Sequence, residues 1–147
     1  MRLAAPILFA LLVACSSHDD SAEDFQRSLD SASAELDQHS TVCADMTSNA
    51  DMRREMDRHE EAMQGLLSAM HDDFSMMEGC YRGDPAVMKS LLSDLGTAQR
   101  THRERMDGAT TLDAARTECQ RYVSVADRDL EQMHDRLRTD GSHCMMM

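Results

Sequence analysis

The sequence predicts an all-α protein, an up-down-up-down four-helix bundle built from a duplicated helical hairpin. Three observations carry that expectation. Four long segments repeat apolar residues alternately four and three apart, the connections between them are short, and the chain resembles itself at an offset of 63 residues. No stretch of any length alternates in the manner of a strand.

The first segment, about 22–46, places Phe25, Leu29, Ala32, Leu36, His39, Cys43 and Met46 on one stripe. The second, about 51–78, does the same with Met52, Met56, His59, Met63, Leu67, Met70, Phe74 and Met77. Gly79 follows its end, and Gly83-Asp84-Pro85 reads as a stop and a restart, with Asp84 as N-cap and Pro85 at the first helical position. The third, about 85–106, carries Met88, Leu92, Leu95, Gln99, His102 and Met106. Thr110-Thr111 precedes the fourth, about 112–138, whose stripe is Ala115, Cys119, Tyr122, Ala126, Leu130, Met133 and Leu137.

The 63-residue shift superposes Leu29 on Leu92, His39 on His102, Thr47 on Thr110, Arg53 on Arg116, Glu55 on Glu118 and Arg58 on Arg121. It continues with Leu67 on Leu130 and Met70-His71-Asp72 on Met133-His134-Asp135. One register holds matches that include stripe positions, as a duplicated hairpin requires. The charged members, Arg53, Glu55, Arg58 and their partners, read as surface pairs at helix spacing.

Composition bounds the function. The 147 residues hold 15 Lys plus Arg against 27 Asp plus Glu, a net charge of −12, which repels nucleic acid and gathers cations. There is no Trp and only 3% aromatic residue, so Leu, Ala and the 14 Met must fill the core. No nucleophile-plus-base arrangement, phosphate loop or Gly-x-Ser-x-Gly elbow occurs, and an enzyme is not expected.

The N-terminus gives a location. Arg2, an apolar run and Leu12-Val13-Ala14-Cys15 have the parts of a secretory signal cut before a cysteine. Residues 1–16 resemble the lipobox-type signal peptide of bacterial lipoproteins. The resemblance implies lipidation of Cys15 through a diacylglyceryl thioether, removal of residues 1–14, and often a third, palmitate-type chain on the new amine. Two or more acyl chains anchor stably, so the mature protein is expected to be tethered to a membrane rather than to span it. Ser16 after the cysteine suggests the outer membrane, facing the periplasm or the exterior. Residues 15–21 then form a lipidated Cys and short polar tether, 22–138 the bundle, and 139–147 a Cys- and Met-containing tail. Cleavage removes Arg2 and leaves 14 basic against 27 acidic residues, a net charge of −13.

Duplication also predicts which residues meet. The loops after helices one and three share one end of the bundle. The stripe residues beside them are Cys43, Met56, Met106 and Cys119, a layer of four sulfurs. One turn deeper lie His39, His59, His102 and Tyr122. Two readings follow. In one, a Cys43–Cys119 disulfide caps a layer of hydrogen-bonded histidines, with Cys80–Cys144 as the second bridge. In the other, His39, Cys43, Met56, His59, His102, Met106 and Cys119 supply a metal site suited to copper, especially Cu(I), or to zinc. A b-type haem held by His and Met is a weaker alternative, and without Cys-x-x-Cys-His no c-type attachment is supported. Di-iron chemistry fails, because only Glu131-x-x-His134 has the needed spacing. The tail His143-Cys144-Met145-Met146-Met147 has soft-metal composition but reads first as a frayed end. The expected function is that of a membrane-anchored envelope lipoprotein with a non-enzymatic structural or partner-binding bundle; the alternative is a copper- or zinc-handling lipoprotein.

Overall fold

A computed structural model describes residues 17–141, with side chains from Asp20 onward. Four helices account for the fold: α1 Ser17–Asp45, α2 Asn49–Met77, α3 Pro85–Asp107 and α4 Leu112–Asp140. They pack in cyclic order, α1 on α2, α2 on α3, α3 on α4 and α4 on α1. This is the all-α four-helix bundle, and its connections are as short as the sequence suggests. No described helix is long and apolar enough to cross a membrane.

Each restart has a local cause. The Ser48 hydroxyl accepts from Asp51 N at 3.1 Å, Asp84 accepts from Ala86 N at 2.9 Å ahead of Pro85, and the Thr111 hydroxyl accepts from Ala114 N at 3.1 Å. Ser48 and Thr111 are 63 residues apart, so both hairpins start their second helix in the same way. At the opposite end, Arg82 N donates to Asp140 O at 3.2 Å and Tyr81 packs on Phe74, holding the α2–α3 connection against the end of α4.

One boundary differs from expectation. The segment read as a tether, 15–21, is helical from Ser17, and α4 runs on to Asp140, so the helical body covers 17–140 rather than 22–138. Ser17 to Ser21 contains no Gly or Pro, and Asp19 and Asp20 suit a helix N-terminus. Buried Ala22 continues the stripe three residues before Phe25, so the extra turn gains packing.

Every stripe residue named above is buried except Leu67, which is half-buried. The core is not continuous. A large apolar cluster from Ala22 and Phe25 to Leu137 fills most of the bundle, and a smaller one of Cys43, Met46, Met52, Met56, Met106, Ala115 and Cys119 fills the α1–α2 and α3–α4 loop end. Polar rings lie between them.

Candidate functional site

Helix periodicity builds two stacked layers. His39 and Cys43 are one turn apart on α1, as are His102 and Met106 on α3; Met56 and His59 share a face of α2, and Cys119 and Tyr122 a face of α4. Cys43 and Cys119 are joined in a disulfide that ties α1 to α4 across 76 residues of chain. Closing so long a loop is worth about 4 kcal/mol in the chain-entropy model. Met106 Sδ lies 3.9 Å from Cys119 Sγ. The disulfide expectation is met here, and as disulfide sulfurs Cys43 and Cys119 are not thiolate ligands. Cys80 is also disulfide-bonded; its expected partner Cys144 lies outside the described residues, as does Cys15, the expected lipidation site.

Beneath the bridge, His39, His59 and His102 are fully buried together with Tyr122. His39 stacks on His59 with ring centres 3.8 Å apart, and His102 stacks on Tyr122 at 4.2 Å. The two stacks meet edge to face. Two hydrogen bonds cross between them, His39 Nε2 with His102 Nε2 and Tyr122 Oη with His59 Nε2, each at 3.1 Å. Both join residues 63 apart, so equivalent positions of the two hairpins meet at the bundle axis.

Carboxylates orient every imidazole from its outer side. His39 Nδ1 is 2.7 Å from Glu55, His59 Nδ1 is 2.7 Å from Glu35, and His102 Nδ1 is 3.3 Å from Glu118. Arg58 grips Glu35 through both terminal nitrogens at 2.8 Å, and Glu55 through Nε and Nη2 at 2.9 and 2.7 Å. Arg121 holds Glu118 in the same two-point manner at 2.8 and 2.6 Å.

These acids correct the sequence reading, which placed Glu55, Arg58 and their equivalents on the surface and passed over Glu35. Glu35 and Glu55 are buried, Glu118 nearly so, and Arg58 only 36% exposed. A signal did exist. Glu35, Glu55 and Glu118 each stand four residues before a ring, at His39, His59 and Tyr122. Arg116 is likewise no simple surface residue: its Nη2 donates to Met46 O at 2.6 Å and ties α4 to the α1–α2 connection. Arg53 is exposed as expected, and so is His71, while His134 is partly exposed.

Electrostatics keep the rings neutral. Burial lowers the imidazole of His39, takes His59 down to about 4, and takes His102 down to about 3; the partner carboxylates only partly offset it. Burial works against ionisation of Glu35 and Glu55 too, but the hydrogen bonds from Arg58 and the histidines outweigh it and hold both below the usual carboxylate range. Burial raises the Tyr122 phenol, which donates as a neutral hydroxyl.

The run Glu55–His39–His102–Glu118 has one contact too many for its protons. Two neutral imidazoles carry two N–H groups, and the run has three contacts. Its longest contact is His102 to Glu118 at 3.3 Å, and arginines meet the acids at both ends, Arg58 at Glu55 and Arg121 at Glu118. Two groups of ligand atoms lie within 4.8 Å of one another: His39, Cys43 and Cys119, and His39, Glu55 and His59.

Compared with protein-family models, with curated proteins and with solved structures, the chain matches none.

Proposed function

We propose that this chain is a non-enzymatic, lipid-anchored protein of the cell envelope whose helices form a rigid structural or partner-binding body. The observation that carries the reading is the clamp at one end. Among neighbouring helices, the Cys43–Cys119 disulfide closes the pair, α1 and α4, that no loop connects, and the buried rings beneath it are held within the protein by Glu35, Glu55, Glu118 and their arginines. An oxidising compartment favours such a bridge, and the leader supplies a route to one. The lipid arm is tested by fractionating cells and weighing the N-terminal peptide. The expected peptide begins at Cys15 with two or three acyl chains, and Cys15→Ser frees the protein from the membrane fraction. A first residue other than Cys15, or no acyl mass, overturns the anchor. The structural arm is tested by thiol counting and metal analysis of the oxidised protein, where stoichiometric copper or zinc would overturn it.

A second reading is copper handling, with zinc as the other metal. The convergence of His39, Cys43 and Cys119 favours it, and the acidic surface would concentrate cations around the molecule.

A further inference from the structure

We propose that Cys43, Cys119 and His39 form a redox-gated Cu(I) site, closed while the disulfide stands and opened when a dithiol reduces it. The proposal rests on the copper-handling reading and adds the state of the protein in which metal binds.

Three donors already converge. Their ligand atoms lie within 4.8 Å of one another, all three residues are buried, and Cys43 Sγ is 3.4 Å from His39 Nε2. The His39 ring is fixed from its far side by Glu55 at 2.7 Å, the carboxylate arrangement that orients metal-binding imidazoles. Its Nε2 therefore faces inward, toward the sulfurs and His102.

Donor chemistry chooses the metal. Reduction yields two thiolates beside an imidazole, with the Met106 thioether 3.9 Å from Cys119 and Met56 in the same cluster. Soft sulfur ligands select Cu(I), whereas structural zinc asks for four donors in a tetrahedron. The second group, His39, Glu55 and His59, is poorer because Arg58 already occupies Glu55. Access is present as well. A cleft of about 110 Å³ between α2 and α3 is lined by Met52, Met56 and Met106, so thioethers lead from the surface to the sulfur layer.

The chemistry balances. An external dithiol is oxidised to its disulfide, and the Cys43–Cys119 bond takes up two electrons and two protons to give two thiols. Cu(I) then forms two Cu–S bonds and one Cu–N bond as the two thiol protons leave to solvent, and copper stays Cu(I) throughout.

The test titrates the full chain in detergent with Cu(I), under argon, against a chromophoric Cu(I) chelator. One sample is oxidised; the other is reduced with dithiol, checked by thiol count and freed of reductant. Expected are one Cu(I) per reduced chain, about a hundredfold weaker retention by the oxidised chain, and a loss of about 10–100-fold in the reduced chain on His39→Gln or Glu55→Gln. The Cys43→Ser/Cys119→Ser variant, with helicity checked by circular dichroism, should bind none at this site in either condition. Equal binding by oxidised and reduced protein, or undiminished binding by the reduced double variant, overturns the gated site and leaves copper handling standing. No stoichiometric copper in either state overturns both, and tighter zinc than copper binding overturns the choice of metal.

Discussion

Glu35 has no equivalent in the second hairpin, where the 63-residue shift lands on Ala98. The ring it serves explains the difference. His59 accepts from Tyr122 at its inner nitrogen, so its outer Nδ1–H needs an acceptor, and Glu35 provides one at 2.7 Å. Tyr122, the equivalent of His59, has one polar end and needs nothing behind it. Glu35→Ala should therefore leave a buried donor unpaired and destabilise by about 1–3 kcal/mol. In a His59→Tyr background the same change should cost much less, a coupling of at least about 1 kcal/mol. Arg58 loses Glu35 in both backgrounds, so its contribution cancels. Urea unfolding of the four proteins measures the cycle, and additive costs would refute the pairing. The rings and sulfurs were legible in the sequence because they sit on apolar stripes. The acids were not, because a helical Glu is ordinarily solvated, and only a three-dimensional neighbour such as Arg58 makes its burial tolerable.

At the level of elements, the two second helices share a cap but not its surroundings. Ser48 and Thr111 each accept one backbone N–H, yet Ser48 Oγ also donates to Asp51 Oδ2 at 2.7 Å, while Ala114 occupies the equivalent place in α4. Replacing either cap with Ala should cost about 1 kcal/mol, with Ser48→Ala the larger, because it also removes a reciprocal contact. Denaturation midpoints of the two variants decide this; no loss at Ser48, or a larger loss at Thr111, would contradict it. Caps, breaks and stripes made the four helices readable to within a few residues. The start of α1 was misjudged because a polar run reads as a tether, although Ser17 to Ser21 carries nothing that stops a helix and Ala22 gives it a buried foothold.

The whole molecule joins these parts through an approximate twofold axis, on which His39 meets His102 and His59 meets Tyr122. The repeat made this meeting foreseeable; the disulfide could not be told from a metal site, since both need the same two sulfurs close together. Placing neutral imidazoles between two apolar clusters makes the entire bundle acid-sensitive. In the unfolded chain a histidine gains its proton near 6.5, while in the fold His59 and His102 hold theirs off until about 4 and 3. Between those limits the unfolded chain binds more protons, so stability must rise with pH and fall on acidification. Glu35, Glu55 and Glu118, held below their usual range, add a loss of the same sign below about 4.5. The opposing effect is relief of self-repulsion, as acid brings the net charge of −12 toward zero near the isoelectric point of 4.8. At 0.15 M salt that surface repulsion is screened over about 8 Å, whereas the buried rings are not, so the rings dominate. The urea midpoint of the oxidised protein should hold steady from pH 8 to 7 and fall from about pH 6.5 to 4, with a shallower fall in His102→Phe. A midpoint as high at pH 5 as at pH 7.5 would mean that the imidazoles are not buried in neutral form.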